Sequence, residues 1–221
     1  MPDTTIDALK SANSDLIRKM LDAVVLVAPM SAAVPTSFTT GATSALQSLP
    51  TDYRPIGWVT KDDGYTWSRD TDMSETTSHG STSPTRRDIN SDVAGLEMTA
   101  QQTSRLTLEL SNNVDLSGVT PTATTGEITF NRATKPSTKY YRLIAIGQDG
   151  VGTDAFYNII VLPRAMVSEY GESSWSDEDE LTYPLTWTAT VDPVLGYSYR
   201  QSLAGPGLKS RLVAMGFPAA T

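Results

Sequence analysis

The sequence predicts a mainly β fold: a two-sheet β-sandwich or barrel with a long projecting hairpin and one or two flanking helices. Three observations carry this. Short strand-like runs separated by Gly, Pro, Asn and Asp turns recur along the chain. Two long alternating runs flank a polar turn, His79 to Pro84. Helical signals are confined to the ends and to two short internal segments.

The elements follow in order. Ile6, Leu9, Leu16, Ile17, Met20 and Leu21 fall near helical spacing, with Asp3 or Thr4 as caps and Arg18 and Lys19 in the last turn. Ala23 to Ala28 (AVVLVA) reads as a buried strand. Ser31 to Pro55 reads as a surface arm or extended loop, with a short helix expected over Thr43 to Leu49. Ile56 to Thr60 alternates, and Asp63-Gly64 then predicts a tight hairpin turn, because Gly accepts the positive φ required there. Beyond it Tyr65, Trp67, Arg69, Thr71 and Met73 share the face expected to be buried. Thr66, Ser68, Asp70, Asp72 and Ser74 share a small, polar or acidic face. A second alternating strand runs from about Arg87 to Gln102, with Val93 breaking its pattern. Such a hairpin exceeds the usual strand length and cannot easily bury both faces within one subunit.

Ser104 to Asn112 fits either a strand or a helix, since Leu106, Leu108 and Leu110 alternate while Leu106 and Leu110 lie one helical turn apart. Later strands are expected at Ile128 to Phe130, Tyr140 to Ile146, Phe156 to Leu162 and Leu185 to Val191. A short helix is expected over Leu208 to Met215, after the Gly205-Pro206-Gly207 break.

Composition narrows the function. The chain has 221 residues, a formal net charge of −8 and no cysteine. A disulfide framework, a thiolate metal site and a thiol nucleophile are thereby excluded. An acidic chain is poorly suited to tight duplex binding, which draws on Lys and Arg at phosphates. It suits both an ordinary soluble surface and one that DNA must pass without sticking. No apolar run approaches a membrane span. Asp3 and Asp7 precede the first apolar stretch, unlike the basic start of a signal peptide, so a soluble, unexported chain is expected.

Catalytic patterns are weak. The sole histidine, His79, sits in a Gly/Ser turn, a poor place for a triad histidine. Asp177-Glu178-Asp179-Glu180 lacks the spacing and glycine of a calcium loop and reads as a solvated acidic loop. Gly205 to Ser210 lacks the Gly-Lys-Ser/Thr order of a phosphate loop. Trp58, Trp67 and Trp187 lie in alternating strands, which favours core or interface packing over sugar stacking. No cofactor, metal or catalytic site is expected.

Several segments in order resemble the major tail (tail tube) proteins of siphophages: Leu21 to Pro29 (LDAVVLVAP), Ile56 to Trp67 (IGWVTKDDGYTW), the hairpin from Asp70 to Ala100, Gln102 to Leu110 (QTSRLTLEL), Phe156 to Glu169 (FYNIIVLPRAMVSE) and Ser176 to Asp192. The similar family segment is a helix, which favours helix for 104–112. The resemblance implies a non-enzymatic structural subunit of the virion, made in the host bacterial cytoplasm. It implies stacked hexameric rings forming the tail tube, with self, the tail tip, the tape-measure and the tail terminator proteins as partners, no membrane insertion, and DNA passing through the lumen without tight binding. It divides the chain into an N-terminal helix or arm (1–22), a tail-tube β-domain (23–193) and a C-terminal extension (194–221). On this reading Asp70, Asp72, Ser74, Glu97, Thr99 and Gln101 are candidates to face the lumen, although a solvated strand face has the same pattern. His79, Gly80, Ser81, Arg86 and Arg87 form the candidate ring-contact hairpin tip. The competing readings are a carbohydrate-binding or capsid-decorating β-sandwich using Trp175, Tyr197 and Tyr199, and a hydrolase using acidic residues.

Overall fold

A computed structural model describes residues 5–219. The N-terminal helix is shorter than expected: α1 covers Ile6–Lys10 only. Ser11 adopts a positive φ of 47°, and the Asn13 side chain accepts from the Asp15 N–H at the start of a single 3-10 turn, Ser14–Leu16. The Asn13 side chain here bonds locally in place of the helix ladder. The caps assigned to Asp3 and Thr4 lie outside the described residues.

The chain then enters β1 (Asp22–Pro29). The following arm contains no helix. It folds a small two-stranded sheet, β2 (Thr39–Thr40) with β3 (Ala45–Leu46), around Gly41 and Ser44, both at positive φ. Phe38, Ala32 and Tyr53 from this arm are buried and close one side of the core. β4 (Arg54–Pro55) pairs with β1.

β5 (Tyr65–Thr76) and β6 (Arg86–Ala100) form the long hairpin in antiparallel register from Tyr65↔Met98 to Thr76↔Arg86. The Asp63-Gly64 turn is not a hairpin. Residues 58–60 pair antiparallel with the end of β6 through Val59↔Ala100, so they run in line with β5 and Lys61 to Gly64 loops out between them. Both flanking runs answer to β6, and this outweighs the local turn signal.

α2 (Arg105–Asn112) resolves the ambiguous segment as a helix. The Ser104 hydroxyl accepts from the Thr107 N–H at 3.1 Å, and Asn113 closes the helix in the left-handed region. Leu106 and Leu110 enter the main core. Residues 114–140 carry no regular element, so the strand expected at Ile128 to Phe130 is absent; Ile128 is exposed there, with no strand to pair against.

β7 (Tyr141–Asp149), β8 (Phe156–Tyr170), β9 (Tyr183–Ala189) and β10 (Arg200–Ala204) complete an eight-stranded antiparallel sheet with the main order β4-β1-β7-β8-β9-β6-β5. β10, from the segment beyond residue 193, pairs with the first part of β8. The C-terminal helix is α3 (Pro206–Lys209), earlier and shorter than expected, with Pro206 in its first turn and turns over the following residues. A Cβ at Gly205 or Gly207 would lie 2.4 or 2.3 Å from the carbonyl oxygens of Ala155 and Asp154, so this Gly-Pro-Gly is a close-packing turn.

β8 is the hinge of the architecture. Its first half pairs with β7 and β10, and its second half, Ala165 to Tyr170, pairs with β9. The sheet folds over across this strand, as strands at sandwich corners do. The Tyr65 hydroxyl on β5 donates to the Ala23 carbonyl on β1 at 3.3 Å, which draws the two ends of the sheet together. Val25, Leu96, Met98, Leu143, Leu162, Leu185 and Trp187 fill the space between the layers.

Candidate assembly interface

The strands β5, β6, β9 and the second half of β8 form a four-stranded half-sheet. Its inner face holds Trp67, Leu96, Met98, Leu185 and Trp187 against the core. Directly paired residues share a face, so the register places Thr66, Ser68, Asp70, Asp72 and Ser74 of β5 on the outer face. Glu97 joins them through Thr66, and Thr186 and Thr188 of β9 join through Glu97 and Gly95. Thr99 follows Glu97 by two positions. Asp70, Asp72, Ser74 and Glu97 are exposed, whereas Thr99 and Gln101 are half-buried. Gln101 lies just past the end of β6, where its side-chain amide donates to Glu180 at 2.5 Å. That hydrogen bond holds the Glu180 carboxyl below its usual range.

Two features of this face were not anticipated. Val93 lies on it opposite Asp70, half-buried, which explains its break in the alternation. A bulge between Asp72 and Met73 leaves Asn90 unpaired on β6, and its amide donates to Asp72 at 3.1 Å. Among the described residues of the β5–β6 outer face, the sole cation is Arg86 at the tip, bound to Asp88 at 2.7 Å.

The edges of the half-sheet are open. β5 ends the strand order, so its outer edge has no strand partner among the described residues. Met166 to Tyr170 of β8 pairs with β9 alone. β6 meets β9 only from Gly95 to Ala100, so the hairpin beyond Ser68 and Gly95 has no strand on either side. That overhang spans nine residues of β6, about 30 Å at the usual rise.

The overhang corrects one expectation. Of the face expected to be buried, Tyr65, Trp67 and Thr71 are half-buried, while Arg69, which shares an open groove with Ser198 and Tyr199, and Met73, out on the overhang, are exposed. Arg69 instead binds Asp92 through two hydrogen bonds of 2.8 and 2.5 Å. The Asp92 carboxyl is held below its usual range, first by the side-chain hydrogen bond from Arg69.

At the hairpin tip His79 and Gly80 form an exposed turn, with Gly80 at φ 81°. The Ser81 N–H donates to the Ser78 carbonyl at 3.1 Å, and Ser78 and Thr85 share a hydroxyl contact of 2.8 Å. Arg87 binds Glu75 at 2.8 Å. Arg86 and Arg87 are thus neutralised within the hairpin and shape it. The tryptophans divide: Trp187 is fully buried and Trp67 half-buried, but Trp58 is 73% and Trp175 93% exposed, which overturns core packing for Trp58. Among the described residues no group of three or more His, Cys, Asp or Glu is arranged to hold a metal ion, and no helix is long and apolar enough to cross a membrane.

Residues 10–193 match the profile of a family described as phage tail tube protein. The chain belongs to that family. A comparison with curated proteins found no match. A tail tube protein is a structural component of the virion tail, and its copies assemble with one another into the tube. The open edges and unpartnered overhang described above belong to a subunit of this kind.

Proposed function

We propose that this subunit closes into rings, six copies each as the siphophage resemblance implies, which stack into the tube of a long-tailed phage and give DNA an acidic channel for ejection. One observation carries the reading: a half-sheet that is apolar inside, polar outside and open at both edges. Open edges in a soluble protein invite pairing. Pairing the β5 edge of one copy with the β8 edge of the next is head-to-tail, and such contacts close into a ring when the rotation allows. The outer faces then line the lumen. Asp70, Asp72 and Glu97 repel phosphates, while Ser74, Thr99, Gln101, Thr186 and Thr188 offer no fixed cation to hold them. The hairpin tip, from His79 to Arg87, reaches a neighbouring subunit. The tape-measure, tail-tip and tail terminator proteins are the remaining partners, and synthesis is in the host bacterial cytoplasm. The terminal extensions divide from the tube domain at 22/23 and 193/194 in sequence, while β10 of the C-terminal one joins the tube domain's sheet through β8.

Negative-stain electron microscopy of the purified chain, alone and seeded with tail tips, tests this. Hollow rings or tubes with a central channel are expected. Uniform small particles under both conditions would sink the reading and leave a binding module in its place.

A further inference from the structure

β5 carries two apolar features on one face, at opposite ends of the strand. Near the tip, Met73 lies opposite Ile89 in the ladder, and the two side chains are 55% and 63% exposed. The pair is bracketed along the hairpin by the Arg69–Asp92 and Glu75–Arg87 ion pairs. Within the chain, Tyr199 accompanies this face as far as Arg69 and Ala94, short of the pair. At the base, the same face opens into a cavity of about 600 Å³ whose lining includes Met20, Val25, Trp58, Tyr65, Trp67 and Ile160. Trp58 and Met20 stand at its mouth, 73% and 40% exposed. Asp22 and Lys61 supply both signs of charge at its rim.

Tyr65, Trp67 and Met73 occupy alternate positions of one strand and therefore one side of it. Met73 lies eight positions beyond Tyr65, about 27 Å of strand. The apolar pair cannot reach the cavity of its own copy across that length of extended chain. A second copy stacked along the strand axis, and turned about the tube axis so that the two hairpins lie side by side, brings its cavity to the pair. Repeating the displacement gives an open stack, the outcome expected of a head-to-tail contact that does not close. An apolar centre with charged pairs around it matches the arrangement of strong interface contacts.

We propose that Met73 and Ile89 dock into the Trp58 cavity of a copy in the adjacent ring, as the axial contact of the tube. The proposal rests on the tube reading and adds to it the residues that join ring to ring. The absence of native cysteine makes the contact directly mappable. Full-length Met73→Cys/Trp58→Cys protein, assembled and treated with a short bismaleimide, should run as a ladder of covalent multimers on a denaturing gel. Each single variant should remain monomeric. Assembled tubes of the double variant that yield no ladder overturn the axial contact and leave the tube reading intact. A dimer from either single variant means a symmetric contact and also overturns it. Met73→Asp/Ile89→Asp changes only exposed side chains, so the fold should persist by circular dichroism while assembly stops at single rings. Normal tubes, or loss of the rings themselves, would refute the axial assignment. Failure of the wild-type chain to form either rings or tubes removes the tube reading and this contact together.

Discussion

The two halves of the sheet solve opposite problems. β1, β7 and the first half of β8 are apolar on both faces: Val25, Leu143, Ile160 and Leu162 enter one core cluster, while Ile144, Ile146, Ile159 and Val161 enter the other beneath Phe38 and Tyr53. β5, β6 and β9 are apolar on one face, and the other face, the β5 edge and the overhang have no strand or sheet packed on them among the described residues. The first half is satisfied by its own chain, which is what a scaffold requires. The second spends a long ordered hairpin on surface that a monomer does not need. In the proposed assembly the contacts fall on the outer face, the edges and the overhang of the second half, so the core, which includes Leu96, Met98, Leu185 and Trp187 from that half, is the same in the free and the assembled subunit.

The comparison breaks most directly at Trp187. This side chain is fully buried at the join between the halves, edge-on to Tyr141 with ring centroids 5.9 Å apart. Trp187→Ala removes the largest buried side chain, and comparable truncations cost about 3–5 kcal/mol. Urea denaturation should show the loss in one cooperative step. Two separated steps would mean that the halves fold independently and that the shared core does not couple them.

A smaller effect is expected at Asp192. Its carboxylate accepts from the Val194 and Leu195 N–H groups at 2.8 and 3.0 Å and lies 3.5 Å from Arg142. Burial works to raise its pKa, but the Leu195 and Val194 hydrogen bonds, with Arg142 and Arg164, outweigh that and hold it below the usual range. The folded pKa is therefore lower than the unfolded one. The ionised group contributes its full stability above the unfolded value, near pH 4, and that contribution is lost as pH falls through the folded pKa. Asp192→Asn should lower the urea midpoint at pH 7, by less than Trp187→Ala, with the gap to wild type narrowing as pH drops below about 4. A gap that is constant from pH 7 to pH 3 would show that the charge on Asp192 does not hold the 192–197 turn to β7.

The halves also differ in how legible they were. Alternation from Tyr65 to Ser74 gave the hairpin and its polar face directly, because a period of two fixes which side chains share a side. What alternation does not encode is where the partner layer stops, so Met73 read as core although it is exposed on the overhang. The apolar run of β1 was legible as a buried strand and the first half of β8 as a strand, but not the second layer over them, since Phe38 and Tyr53 lie in a Ser/Thr/Pro-rich arm without a period. The expected strand stopped at Leu162, yet β8 continues through Pro163 to Tyr170 by changing partners around that residue. The Asp63-Gly64 signal was local, and the pairing of both flanking segments with β6 was not.

The smallest effect on folding is expected at Asp70 and Asp72, and that smallness is what sharpens the comparison. Both side chains are exposed on the outer face, and the one contact at stake is the Asn90 hydrogen bond to Asp72. Asp70→Lys/Asp72→Lys should leave the urea midpoint of the free subunit unchanged within error, because surface changes away from caps, cores and buried pairs act weakly. On the proposed lumen assignment the same two substitutions put cations where DNA passes, and phosphate binding to such groups is strong at low salt and weakens steeply as salt rises. DNA ejection from phage carrying the double variant should therefore be slowed, with recovery as salt is raised. A marked drop in the urea midpoint would mean that the polar face supports the fold after all. Normal ejection at low salt would remove these carboxylates from the lumen, even in a tube whose rings still form.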